Sequence, residues 1–254
     1  MIFYFFTIVI VLNRVDSTVK DPRTALTELE SKISLTSTGT TIVGFCCTDG
    51  VVLGADTRAT GGNIVVDKEK LKVHPISPRI FACGAGTSAD CDQITKLAGL
   101  SLAKLRIEKD LAGIHSSIDN VLSACISISS QIMLPTRGKK PQSVFIVGGI
   151  DDCGPSLYEI QMDGTYEKCE FSALGSGSLS AISVIETKLY SRNNSNVAKS
   201  SFPNDAELKY DDENINSVMS DWVKRVPPLT VEEAIPIVKE AIFAGICHLF
   251  FVPI

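Results

Sequence analysis

Along this chain the apolar residues switch period in a fixed order, from two to about 3.6 and back, and that order leaves few folds open. Residues 41–47 and 51–56 are β-rich runs separated by Thr48-Asp49-Gly50, a hairpin signal. Residues 72–76 and 79–83 form a second pair around Ser77-Pro78. Helical spacing follows. Thr87 and Asp90 resemble a capping box, after which Ile94, Ala98, Leu102 and Leu105 recur on one face. Ile118, Val121, Cys125, Ile128 and Ile132 make a second apolar stripe, expected to be core. Strands return at 144–150, 157–162 and 166–173, the last two joined by Asp163-Gly164. A third helix is expected from Gly175-Ser176-Gly177 to about Tyr190. A final helix, capped by Thr230 and Glu233, should run through Gly245, with Pro236 kinking it or delaying its start. Strands, two helices, strands, then helices describe an α+β order in which helices cover sheet faces, and a four-layer αββα sandwich fits it.

Between the last two helices, residues 192–229 are polar and read as an exposed insertion, pinned by the single Trp222. With 254 residues and 44% apolar content, the chain can bury a full core as one domain or two small ones. A net charge of -5, with basic residues scattered, gives no footprint for a phosphate backbone, so nucleic acid is not expected as a partner. The eight cysteines (46, 47, 83, 91, 125, 153, 169 and 247) include no CxxC pair and read as small core residues in a reducing compartment. With His74, His115 and His248 scattered singly, no zinc site is expected. The opening MIFYFFTIVIVL is shorter than the roughly 20 residues that span a bilayer. It also lacks the basic leading region and small-residue cleavage site of a signal peptide, and is expected to be a disposable leader or a misassigned start. Asn193-Asn194-Ser195 matches a glycosylation acceptor, a triplet common by chance.

The chemistry-bearing candidate is Thr40, at the junction between a polar leader and the first strand in Thr38-Gly39-Thr40-Thr41. Read alone it is one threonine in a β-rich run. Cleavage after Gly39 would leave it a free α-amine, with a reference pKa of about 8, able to take the proton of its own hydroxyl directly or through water. Nucleophile and base would then share one residue. Lys72 reads equally as a solvated strand lysine beside Lys68 and Lys70, and Asp56 as a strand-end turn residue. Gly84-Ala85-Gly86, between strand and helix, can aim backbone N–H groups at an anion; a phosphate is the rival ligand, though GxG alone is a weak signal. Arg58 shares a strand face with Asp56 if the strand extends that far, and otherwise is a surface arginine.

Taken together, Gly39-Thr40-Thr41-Ile42, Gly54-Ala55-Asp56-Thr57-Arg58-Ala59-Thr60, Lys72, Cys83-Gly84-Ala85-Gly86-Thr87 and Gly175-Ser176-Gly177-Ser178 resemble the ordered signature of proteasome beta subunits. The resemblance covers residues 39–190 and resumes through the last helix to Gly245. It implies an N-terminal-nucleophile hydrolase fold, placed with other alpha and beta subunits in stacked seven-membered rings in cytoplasm and nucleus. Residues 1–39 would be a propeptide and 40–254 the subunit domain. Asp56 and Lys72 would join Thr40 as the catalytic group, the ammonium keeping the Thr40 amine neutral and Asp56 orienting the lysine. The Gly86 N–H would bind the oxyanion, Ser176 would stand beside Thr40, and Thr60 would bond an extended peptide by strand addition. Arg58 would support the group from behind.

The resemblance further implies a threonine endopeptidase acting on unfolded, ubiquitin-targeted polypeptide with no metal or cofactor. Gly84 would leave open the floor of the pocket for the side chain before the cut, and Asp90 and Asp92 on the following helix would suit lysine or arginine there. Asp90 has a second reading as a helix cap. A non-catalytic ring subunit and a small-molecule amidase of the same fold are the rival functions. Beyond Gly245 the family pattern has an Asn-Asp-Leu-Gly-Ser-Gly-Ser-like segment whose Asp and Ser support the threonine. Here residues 246–254 read Ile-Cys-His-Leu-Phe-Phe-Val-Pro-Ile, so a truncated or misassigned end is expected.

Overall fold

The protein's computed structural model describes residues 39–61, 64–112, 119–134, 141–197 and 229–251, all within the compact unit Ser37–Ile254. β1 (Thr41–Cys46) and β2 (Val51–Ala55) pair antiparallel as the hairpin the turn residues call for. A short hairpin not expected from the sequence follows, β3 (Ala59–Gly61) with β4 (Ile64–Asp67), bulged between Ala59 and Thr60. β5 (Val73–Ser77) and β6 (Ile80–Gly86) form the second expected pair, but the turn between them is Pro78-Arg79 rather than Ser77-Pro78, because Ser77 still pairs with Ile80. α1 (Ser88–Leu111) and α2 (Val121–Met133) precede the pair β7 (Ser143–Asp151) and β8 (Gly154–Ile160).

The expected single strand at 166–173 is in fact two, β9 (Tyr166–Cys169) and β10 (Phe171–Gly175), and they lie in different sheets. The break falls at Glu170, whose carbonyl accepts a hydrogen bond from the Cys46 N–H at 2.7 Å, at the far end of β1. A strand-period pattern cannot show such a switch, because it says nothing of which neighbour each half pairs with. One sheet runs β10-β1-β2 and the other β5-β6-β7-β8-β9.

Alternation along each strand then builds the four layers. On β1, Val43 and Phe45 face α3 (Ser178–Val197) and α4 (Val231–Phe251), in a core with Ala181, Ile185, Val238 and Ala241. Ile42, one step out of phase, meets Cys83, Ala85, Val144, Ile146 and Leu157 between the sheets. On the outer side, Ile80, Ala82, Phe145 and Val147 pack against Cys91, Ile94, Val121, Cys125 and Ile128 of α1 and α2. Each fully buried valine, leucine, isoleucine or phenylalanine among them contributes about 1.5–3 kcal/mol before the entropy of ordering it is counted. The sheets lie close enough that a Cβ on Gly44 would fall 2.6 Å from an Ile146 methyl carbon. This is the αββα sandwich, helices on both outer faces.

Several local expectations are corrected. Thr87 makes no side-chain cap, so no capping box forms, and the Asp90 carboxylate reaches instead toward the Gln142 N–H at 3.4 Å. The α1 stripe ends at Leu102, since Leu105 is 43% exposed. α3 runs past Tyr190 to Val197, so the first residues of the supposed insertion are helical, Asn193 to Ser195 among them. Residues 198–228, with Trp222, lie outside the described residues, as do Ile118 and His115, while Leu229 at the end of that stretch is buried in the core beneath α3 and α4. Pro236 does not delay α4, which starts at Val231 and continues past Gly245 to Phe251. Its start is held by Glu233, which accepts from the Thr230 N–H, and by Asp49 of the β1–β2 turn, which accepts from the Val231 N–H at 2.8 Å.

Candidate active site

Thr40 directly precedes β1, and its placement follows from β1 being the middle strand of its sheet. The Thr40 carbonyl accepts from the Ser176 N–H at 2.9 Å and from the Ser176 hydroxyl at 3.3 Å. That approach requires a glycine at 175: its φ is +102° and a Cβ there would lie 2.0 Å from the Thr40 carbonyl oxygen. The tight turn and the contact with Thr40 are therefore one feature.

Asp56 follows the last residue of β2, across from Thr41. One carboxylate oxygen accepts from the Thr41 N–H at 2.8 Å, while the Asp56 N–H donates to the Thr41 carbonyl at 3.1 Å. The other carboxylate oxygen accepts from the Arg58 N–H at 3.2 Å and from the Lys72 ammonium at 2.9 Å. Lys72 immediately precedes β5, and its Nζ also donates to Thr40 Oγ1 at 2.8 Å and to the Arg58 carbonyl at 2.7 Å. The side chains of Lys72 and Asp56 are 8% and 3% exposed. An ion pair so far from water holds only because the ammonium's three donors and both carboxylate oxygens are met. Thr40, Asp56 and Lys72, up to 32 positions apart, are thus joined in one buried hydrogen-bonded group.

The other expected site residues divide. Arg58 is not on the Asp56 strand, which ends at Ala55; it enters the group through its backbone N–H and carbonyl. Gly86 ends β6 ahead of α1, with φ +133° and a virtual Cβ 2.1 Å from the Gln142 carbonyl oxygen, a conformation reserved for glycine. Two residues earlier, the Gly84 N–H donates to the Lys72 carbonyl at 3.2 Å, which ties this strand to the lysine. The space beside Gly84 is filled, however: a Cβ there would stand 2.9 Å from Cys91 Sγ and 3.0 Å from a Phe145 ring carbon. The glycine makes room for α1 rather than for an open floor. Thr60 pairs with Val65 in the β3–β4 hairpin, and β3 has β4 as its one strand neighbour among the described residues.

Asp92 is engaged as well. Its carboxylate pairs with the Lys70 ammonium at 2.7 Å and lies 3.8 Å from His74 Nδ1. Burial holds the His74 imidazole below its usual range, Asp92 pulling it back up and Lys70 and Lys96 pushing it further down, so at neutral pH it is uncharged. Burial also pushes the Cys91 thiol up to about 11. Sequence reading missed Lys70 and His74; their signal is the two-residue spacing Lys70, Lys72, His74. It missed too that the Thr41 hydroxyl is buried with no hydrogen-bond partner among the described residues, wedged against Gly177 and Gly245.

A two-sheet sandwich between helix pairs, with a threonine at the head of its central strand, is the N-terminal-nucleophile hydrolase fold. The family model described as proteasome subunit matches residues 36–200. The chain belongs to that family, and the relatives it resembles are of the beta type. It is 38% identical over 151 residues to proteasome subunit beta type-10 of Mus musculus, 59% of this chain and 52% of that one. It is 39% identical over 155 residues to beta type-7-A of Arabidopsis thaliana, covering 61% and 54%. With beta type-7 of Dictyostelium discoideum the identity is 42% over 151 residues, covering 59% and 54%. The chain spans about half the length of the curated relatives it matches.

Proposed function

We propose that this beta-type chain is catalytic: a threonine endopeptidase whose nucleophile, Thr40, is unmasked by cleavage after Gly39. One observation carries the reading. The Thr40 hydroxyl accepts from a buried ammonium that is itself held by a buried carboxylate, an arrangement costly to maintain for structure alone. With the Gly39–Thr40 bond cut, the new amine serves as base and takes the hydroxyl proton while Oγ1 attacks a peptide carbonyl. The Lys72 ammonium beside it disfavours a second positive charge on that amine, and Asp56 holds Lys72 in place through their 2.9 Å ion pair. The Gly86 N–H stabilises the oxyanion, and the tetrahedral intermediate collapses to an ester at Oγ1 as the amine's proton passes to the leaving nitrogen. Water, activated by the same amine, hydrolyses the ester and restores Thr40. None of these steps calls on a metal or cofactor.

Peptide would lie extended near Thr60 along the side of β3 that has no strand neighbour among the described residues, by strand addition. Asp90 and Asp92, rather than Gly84, carry the preference for lysine or arginine before the cut. Residues 1–39 form the leader, and the chain works among other proteasome alpha and beta subunits in stacked rings, on unfolded polypeptide. In the purified assembly, mass spectrometry of the mature chain is expected to find Thr40 at the N-terminus, and Thr40→Ala to lower hydrolysis after basic residues by at least about a thousandfold. An intact leader with no loss of activity in Thr40→Ala would instead make this a structural ring subunit.

A further inference from the structure

Lys70, Lys72 and His74 stand at two-residue intervals, and the intervening Leu71 is 74% exposed while Lys72 is buried. Lys72 turns to Thr40, whereas Lys70 turns to Asp92, the carboxylate just assigned to reading a basic side chain. Lys70 is set there by its backbone. Its N–H donates to the Thr57 carbonyl at 2.9 Å, and the Thr57 hydroxyl donates to the Lys68 carbonyl at 2.9 Å, so the segment is stitched to residues 57–58 beside Asp56. Asp92 follows Cys91, the residue that fills the space at Gly84. With side chains 29% and 32% exposed, the Lys70–Asp92 pair is neither buried beyond reach nor fully solvated.

We infer that Lys70 is a specificity-determining residue: its ammonium occupies Asp92 and competes with the cation of an incoming lysine or arginine. The inference rests on the peptidase reading for its substrate. A basic side chain meets a carboxylate already neutralised at 2.7 Å, with an uncharged imidazole beside it, and must displace Lys70 to gain the ion pair. A neutral side chain meets no such competitor. The chain's own lysine therefore narrows the advantage of basic over neutral substrates that Asp92 alone would give.

Two readouts on the full chain test this. The first needs no catalysis: calorimetric binding of butylguanidinium, an arginine side-chain analogue, at low salt. Lys70→Gln is expected to bind it roughly fivefold more tightly than wild type, the worth of one partly exposed pair. Lys70→Gln/Asp92→Asn should lose that gain, and Lys70→Arg should keep wild-type affinity. Equal binding by wild type and Lys70→Gln, or a gain that survives in the double variant, overturns the inference. The second is the ratio of kcat/KM for an arginine against a leucine substrate, with Thr40→Ala as the blank. Lys70→Gln should raise the ratio by a similar factor. Thr40-dependent hydrolysis with an unmoved ratio overturns the role of Lys70. Hydrolysis indifferent to Thr40, together with the binding gain, overturns the peptidase reading while Lys70 still competes for Asp92.

Discussion

Without its ammonium partner, the Asp56 carboxylate would keep, among the described residues, the N–H groups of Thr41 and Arg58 for company in a site that water barely reaches. Lys72→Met is therefore expected to cost about 3–5 kcal/mol of stability, read from denaturant unfolding. Lys72→Met/Asp56→Asn should recover part of that loss, because the lone charge is gone, yet recover none of the hydrolysis. If the double variant is no more stable than the single one, the pair is not electrostatically coupled as the distances indicate. At this scale the sequence was partly legible. Thr40, Asp56 and Lys72 stand out through the ordered family pattern, whereas spacing alone left Lys72 among three similar lysines and Asp56 as a turn residue. The occupancy of Asp92 by Lys70 was not legible: it depends on the segment of residues 68–70 being stitched to Thr57, a pairing no local pattern carries. Nor was the filling of the space at Gly84, which is decided by where α1 lays Cys91.

Helices α3 and α4 meet β1 at two glycines. A Cβ on Gly177 would fall 2.4 Å from Thr41 Oγ1 and 2.6 Å from Gly245 backbone atoms, while at Gly154 (φ +102°) a Cβ would have nothing within 4 Å. Gly177→Ala should then cost about 1–3 kcal/mol or more by overpacking. Gly154→Ala should cost only the backbone strain of about 1 kcal/mol. Unfolding midpoints of the two variants, side by side, check the order; equal losses would mean that the contact at Thr41 yields freely. The periods placed nearly every element, since two-residue and 3.6-residue patterns are local properties of the chain. What they could not place was long-range: the change of sheet at Glu170, settled by Cys46, and the β3–β4 hairpin, whose Ile64 and Val66 are exposed and give no alternating burial to read. The missing capping box at Thr87 has the same origin, because Gln142 draws Asp90 away from the helix start.

For the whole molecule, the cysteines set a limit on alkaline stability. Burial pushes the Cys83 thiol up to about 12, and burial, with Glu159 nearby, takes Cys169 to about 12 as well. An unfolded thiol releases its proton at about pH 8.5, so between there and about 12 the unfolded chain holds fewer protons than the native one, and stability falls as pH rises. Below about pH 8 these thiols are protonated in both states and contribute no slope. Melting temperatures from pH 7 to 10.5 should therefore fall steadily above about 8.5, and native-state alkylation at pH 7.5 should reach the exposed Cys153 while sparing Cys83 and Cys125. A flat profile would show that these thiols titrate as freely in the folded protein as outside it. The grip of Ser176 on the Thr40 carbonyl has a further consequence for the molecule. A chain end made by proteolysis ordinarily loosens and wanders. Here Thr40 is moored through its acyl oxygen, while Thr41 pairs with Gly175 on one flank and bonds Asp56 on the other, so the proposed cut after Gly39 would leave the Thr40 hydroxyl already standing at its post.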